Sequence, residues 1–318
     1  FYIKMDFSLT NIFQIIFVIF GLFGNFFFTL TLWKCPLKSK ITSILLSTQS
    51  VYDFMASVLY LAGRYLPAYE GSNFQPFDVF VCYFWTSQVF YWITMMASVQ
   101  TLVWIAIDRY VAVLKAIVYA SKQRHLIWIS QVLIVIISVV LVVPTAFDKK
   151  FNNTCTSEPL FSQNYYRVHK LIYAIFWYLF FYFGPTIMFI TIYSKITIEI
   201  SKKSDLTKQN SEDKKAKKLL TFTATIITLQ FVVLFPLEPS YYFFSAFGIV
   251  EYVYYGPLQE VAIMLQLLSI CLNPIICLVT MKSRRLVLLY MIIPCIRSKD
   301  RFNNSVAGTN TCTNVDGH

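Results

Sequence analysis

Residues 82–113 read CYFWTSQVFYWITMMASVQTLVWIAIDRYVAV. No charged side chain interrupts the stretch between Cys82 and Ile107; then Asp108 and Arg109 arrive together, followed by Tyr110. At about 1.5 Å of rise per residue, a helix of this length crosses a hydrocarbon core of roughly 30 Å. The stretch therefore reads as a membrane-crossing helix with a cysteine at one face and an adjacent acid and base at the other. One reading of Asp108-Arg109 is a charged stop, with Arg109 reaching for the headgroups. The other segments decide whether the pair is more than that.

The composition agrees with a chain that lives in lipid. Of its 318 residues 57% are hydrophobic, 18% aromatic and only 14% charged, with a mean hydropathy of +0.59. A water-soluble domain of this size has too little interior to hide so much apolar surface. Apolar windows fall at residues 9–33, 42–67, 79–113, 125–146, 169–200, 216–247 and 254–280. Each has the ~20-residue length that a spanning helix needs. An odd number of spans puts the termini on opposite sides.

Orientation follows from the basic residues. Of 27 lysines and arginines, all but Lys4, Arg64, Lys149, Lys150, Arg167 and Lys170 fall in the first, third and fifth connections or after the last span. The basic side is cytoplasmic, so the N-terminus is outside. The net charge of +11 is thereby explained by topology, and no nucleic acid partner is expected. The fold class is an all-α membrane protein, a seven-transmembrane helix bundle. Its expected organisation is an extracellular stub at residues 1–8, the bundle at 9–294 ending in a short cytoplasmic amphipathic helix, and a cytoplasmic tail at 295–318.

Polar residues inside the spans carry the functional signal, because an ionisable group at membrane depth is costly without partners. Asn25, Asp53, Ser98, Ser269 and Asn273 lie at similar depths. Any one of them reads as a packing hydrogen bond; together they read as a shared polar cluster around Asp53, holding water or a cation. Pro144, Pro185, Pro236, Pro239 and Pro274 lie inside or at the ends of spans and serve as passive kinks or as hinges.

Gly24-Asn25, Asp53, Asp108-Arg109-Tyr110, Trp128, Pro185 with Tyr193, and Asn273-Pro274 occur in this order, one set per span. In this combination the chain, from about Gly21 to Cys295, resembles a rhodopsin-like (class A) G protein-coupled receptor. The resemblance implies an outward-facing ligand pocket and an inward-facing cleft for a heterotrimeric G protein. It assigns the activation switch to Asp108, Arg109, Tyr110, Tyr193, Asn273 and Pro274, with Arg109 held by Asp108 at rest. It also implies a sodium site at Asp53, Ser98 and Asn273, which is the only cofactor expected. Plasma membrane localisation, with multiple spans, follows from it.

The chain departs from that family in four places. The sixth helix reads Leu234-Phe235-Pro236-Leu237 and lacks the family's tryptophan, leaving Phe235 as the aromatic in its place. Cys277 stands where the family has the tyrosine that follows Asn-Pro. The inner end of the sixth helix carries Lys214, Lys215, Lys217 and Lys218 rather than an acid, so no ionic contact from there to Arg109 is expected. Cys82 lies two residues earlier relative to Arg109 than the family pattern, a feature associated with some invertebrate orphan and peptide-type members.

Of seven cysteines, Cys82 and Cys155 alone fall on the oxidising side, and the family pairs the matching positions, so a disulfide is expected between them. Asn152-Asn153-Thr154 is an outward-facing sequon with Asn152 as the glycosylation acceptor. Cys295 follows an amphipathic run and is read as palmitoylated or as a free thiol. Tyr91 stands where amine receptors of the family carry an aspartate, which argues against a monoamine. The last span has no lysine for a retinal Schiff base. Candidate ligand-binding residues are Gln88, Tyr91, Glu238, Tyr241, Tyr242, Gln259 and Gln266. The aromatic surroundings favour a peptide, and Glu238 reads either as the partner of a cationic ligand group or as a neutral acid bonded to a neighbour.

Competing readings lack their residues. A transporter needs charged coupling sites in several spans, and only Asp53 and Glu238 qualify. An enzyme needs a nucleophile or metal constellation, whereas His125, His169 and His318 are unpaired at ligand spacing. The expectation is a receptor, not an enzyme, whose partners are an extracellular ligand, a G protein and membrane lipid.

Overall fold

The computed structural model describes residues 9–37, 39–66, 71–72, 74–115, 119, 121–152, 154–156, 163–204, 211–281 and 287–289. Seven helical spans are long and apolar enough to cross a membrane: Leu9–Lys34, Lys40–Tyr65, Gln75–Leu114, Gln123–Ala146, Tyr165–Glu199, Lys218–Ala246 and Pro257–Thr280. The third span is the axis of the bundle, with 67% of its most apolar window buried against 22% for the fourth, which faces lipid. The first span packs on the second and seventh, and the third on the second, fourth and fifth. Trp128 of the fourth span points outward at 72% exposure. The amphipathic run after the seventh span, with Cys295 and the tail, lies almost wholly outside the described residues.

The third span begins at Gln75, earlier than its hydropathy indicates. Asp78 does not stop it, because its carboxylate is satisfied by the backbone N–H and hydroxyl of Ser72, at 2.8 and 2.9 Å. The span is also not one continuous α-helix. Val81–Trp85 is a π-helix, and Gln88 adopts a left-handed φ of 54° before the α-helix resumes at Val89. A π turn takes up an extra residue without breaking the helix axis. This irregular segment lies between the disulfide cysteine and the regular α-helix that carries Arg109. Cys82 and Cys155 form the expected disulfide, with Cα atoms 5.4 Å apart. Cys155 belongs to a small antiparallel hairpin, β1 Lys150–Asn152 and β2 Thr154–Thr156, so the second outer loop is tied across the mouth of the bundle. Asn152 is exposed on that hairpin.

Three of the internal prolines obey one rule. A proline has no N–H, so the carbonyl one turn before it loses its helical donor, and lipid supplies no replacement. Pro274 orphans the Ile270 carbonyl, and Asn25 of the first span donates to it at 3.3 Å. Pro236 orphans the Val232 carbonyl, and the Tyr182 hydroxyl of the fifth span donates to it at 3.1 Å. Pro185 follows a π turn, Leu179–Phe183, so the orphan lies five residues back at Phe180. There Gln100 of the third span donates at 3.0 Å. Each kink is thus also a bond between spans.

Candidate functional site

Three polar constellations follow one another down the bundle. The outermost is a cavity of about 470 Å³ beneath the second outer loop, a size suited to small ligands or the end of a larger one. Among the expected ligand residues, Gln88, Tyr91, Glu238, Tyr242 and Gln259 line it. Tyr241 and Gln266 do not: the Tyr241 hydroxyl donates to the Glu251 carbonyl at 2.5 Å, anchoring the third outer loop, and Gln266 is wholly buried deeper in the seventh span. Residue types along an apolar run indicate depth only coarsely and do not give the face, so neither position was readable from them.

The walls also hold Glu260, which the sequence places near the outer half, and Arg64, which it did not single out. Arg64 of the second span pairs with Glu260 of the seventh at 2.9 Å and stacks over the Tyr255 ring, its guanidinium carbon 4.8 Å from the centroid. Glu260 accepts a further bond from Gln14 at 2.8 Å, and Tyr60 donates to Gln14 at 2.7 Å. Arg64 and Glu260 lie far apart in sequence, and each alone reads as a charged helix end, so only folding reveals the pair. Deeper, Glu238 is 3% exposed. Gln259 donates to the Tyr252 hydroxyl at 2.7 Å, and Tyr252 donates to Glu238 Oε1 at 3.4 Å. Burial, then the nearby Glu238 carboxylate, raises the Tyr252 phenol well above its ordinary value, so it remains a donor.

Below the cavity an aromatic column leads inward. Trp92 meets Trp177 edge-on at 5.5 Å, Trp177 stacks on Phe181 at 4.7 Å, and Phe181 meets Phe235 at 5.8 Å. Phe235 in turn packs on Phe231 at 4.6 Å. Phe235 adjoins the break at Pro236 and links the ring column to the hinge of the sixth span.

The middle constellation gathers Asp53, Ser98, Ser269 and Asn273 of the expected polar cluster, whereas Asn25 bonds the Gly21 and Ile270 carbonyls instead. Asp53 is fully buried, and its carboxylate accepts from Ser98 at 2.6 Å and Asn273 at 2.7 Å. Two glutamines join that were not expected. Gln49 donates to both Asp53 oxygens, at 3.2 and 3.3 Å, and to Ser98 at 2.5 Å. Gln230 of the sixth span donates to Asn273 and to the Ser269 carbonyl at 3.1 Å. Both glutamines sit in helical runs whose neighbours are apolar or hydroxylic, and no spacing marks them as members of one cluster.

The innermost constellation surrounds Arg109, which is 3% exposed. Its Nε donates to Asp108 at 3.1 Å, and Nη2 reaches Asp108 at 2.5 Å and also bonds Thr42. Thr42 and Tyr119 donate to the same carboxylate at 2.9 and 2.7 Å, and Ser39 bonds Tyr119 at 2.5 Å. Tyr119 lies in the loop after the third span; burial, then the Asp108 charge, raises its phenol above the ordinary value, so it too remains a donor. Among the described residues no acid of the sixth span pairs with Arg109. Tyr193 is buried without a bond to Arg109, and Tyr110 packs at the core margin. Across the inner ends of the sixth and seventh spans, Thr223 donates to Thr280 at 2.8 Å.

A family model described as 7 transmembrane receptor (rhodopsin family) matches residues 24–276 of this chain. No curated protein sequence matches it.

Proposed function

This chain belongs to the rhodopsin family of seven-transmembrane receptors, and from that membership we propose that it sits in the plasma membrane, binds an extracellular peptide and activates a heterotrimeric G protein. It is a multi-pass membrane protein of a receptor family whose members are generally not enzymes. The observation that carries the coupling reading is the grip on Arg109. Among the described residues Asp108 and Thr42 hold this guanidinium at the inner end of the central span, a grip that inward release would undo.

Agonist in the outer cavity would act through the column from Trp177 to Phe235, favouring the arrangement in which the sixth span swings about Pro236. It can do so only by binding that arrangement more tightly. Moving a population from mostly off to mostly on takes roughly 5.5 kcal/mol of such preference. The swing would break the Thr223–Thr280 bond and let Arg109 and Tyr193 meet the G protein.

The Asp53 cluster fits a sodium ion on one condition. Gln49 now turns its amide nitrogen to the carboxylate, while its Oε1 has no hydrogen-bond partner. Turned over, Gln49 would offer that oxygen beside those of Asp53 and Ser98. A bound ion would supply positive charge that holds the spans together in the resting arrangement.

Nucleotide exchange on a panel of G proteins, in membranes bearing this chain, tests the reading. Exchange above that of empty membranes, lost in Arg109→Ala, is expected. Exchange that persists in Arg109→Ala overturns the assignment.

A further inference from the structure

The outer cavity contains an unbalanced acid. Four charged side chains line it: Arg64, Lys149, Glu238 and Glu260. The two cations are engaged at the rim, Arg64 by Glu260 at 2.9 Å and the Tyr255 ring, Lys149 over the Tyr254 ring at 5.9 Å. Glu260 is in turn matched by Arg64 and Gln14. Glu238 at the inner end has no cation. Its Oε1 takes a long bond of 3.4 Å from Tyr252, the Trp177 indole N–H also interacts with the carboxylate, and Oε2, buried from solvent, meets no further donor at hydrogen-bond geometry among the described residues. The Tyr91 hydroxyl, on the same cavity wall, is likewise buried without a partner.

An unpaired buried carboxylate is expensive, and a cation removes the cost. The walls around it suit one. Tyr91, Trp177, Tyr242 and Tyr252 line the cavity, and the negative face of an aromatic ring attracts ammonium and guanidinium groups, as the Tyr242 ring already attracts Lys170 at 5.9 Å. The alternative occupants fare worse: an anion would meet Glu238, and a neutral group would leave the acid unpaired.

The geometry points to Glu238, inside its aromatic walls, as the receptor for an organic cation at the buried end of the ligand. For a peptide this is an N-terminal ammonium or a basic side chain. The acid that the third span lacks at Tyr91 is thus supplied from the sixth, one residue short of Pro239 and two beyond Pro236. A cation drawn to Glu238 would pull directly on the hinge. This inference rests on the outer cavity being the ligand site.

The test uses the purified full chain in lipid nanodiscs and four probes sharing one phenethyl skeleton: phenethylammonium, phenethylguanidinium, 2-phenylethanol and phenylacetate. Binding is read by thermal shift and by saturation-transfer NMR. The two cations are expected to bind and the alcohol and acid to bind at least about tenfold more weakly, the loss typical of removing a charge-assisted hydrogen bond. Ammonium preferred over guanidinium indicates a terminal amine or a lysine, and the reverse indicates an arginine. Glu238→Gln is expected to abolish the preference for cations while melting no lower than wild type, since it removes a buried charge and keeps the shape. Equal binding of cation and alcohol, no binding of either cation, or a preference that survives Glu238→Gln overturns the proposal. The exchange assay on the same chain reports G protein coupling separately, so a silent receptor with cation binding, and a coupling receptor without it, are distinct outcomes.

Discussion

The side chain of Asn25 donates to the carbonyl of Ile270, the group that Pro274 leaves without a helical donor. It also bonds its own helix at Gly21, at 2.9 Å. The approach is close because Gly24 has no side chain: a Cβ there would lie 2.9 Å from Pro274 Cγ. Glycine, asparagine and proline at three positions therefore form one joint between the first and seventh spans.

Asn25→Ala should leave the Ile270 carbonyl buried and unpaired, at a cost of about 1–3 kcal/mol. Gly24→Ala should push the spans apart instead. Both variants are expected to melt below wild type in detergent, and unchanged melting of Asn25→Ala would dissolve the joint.

The Tyr182 bond to Val232 predicts a specific non-additivity. Tyr182→Phe alone should destabilise by about 0.5–1.5 kcal/mol. In a Pro236→Ala background the helix regains its N–H and should no longer need the hydroxyl. A double-mutant cycle should then show coupling of at least about 0.5 kcal/mol between two residues on different spans. A coupling of zero would mean that the hydroxyl does not compensate the proline.

Asp108→Asn should weaken the hold on Arg109 and raise basal exchange. The charge-assisted bonds involved are worth about 1.5–3 kcal/mol, so an increase of roughly tenfold or more is expected if they oppose activation alone. Basal exchange at the wild-type rate would show that Thr42 and Tyr119 suffice to hold the resting arrangement.

Thr223→Val removes a donor that joins the inner ends of the sixth and seventh spans. A neutral hydrogen bond of about 0.5–1.5 kcal/mol predicts roughly a two- to tenfold rise in basal exchange. Thr280→Val should do the same, and the double variant no more than either, because both remove one bond.

Replacing sodium chloride by the chloride of a bulky organic cation should raise basal exchange. Asp53→Asn should abolish that dependence, and Gln49→Leu should shift it by removing both the competing amide and the added oxygen. A salt response unaltered in Asp53→Asn would place the ion elsewhere.

Much of this was legible in the chain itself. Length and apolarity alone give seven spans, because lipid offers the backbone no hydrogen bonds and each crossing must be a full helix. The uneven distribution of lysine and arginine gives their orientation, and the side on which Cys82 and Cys155 fall gives the disulfide. A shared level for Asp53, Ser98 and Asn273 was also readable from their depth, and their grouping as one site from the family resemblance. Depth does not give azimuth, however. Tyr241 sits at a plausible height yet turns to the third outer loop, Gln266 lies deeper than the cavity, and Arg64 reaches it from a helix end that looks merely solvated. Helical irregularity was invisible as well: the π turn and the left-handed Gln88 have no composition of their own.

The sequence by itself determined which segments cross, which way they run and which residues share a depth, because each of these depends on transfer of one segment between water and lipid. The tertiary structure alone decided which neighbours supply donors to the carbonyls behind Pro185, Pro236 and Pro274, and which acid remains without a cation. Those depend on helix rotation and packing, where partners are set by contacts between residues up to 246 positions apart.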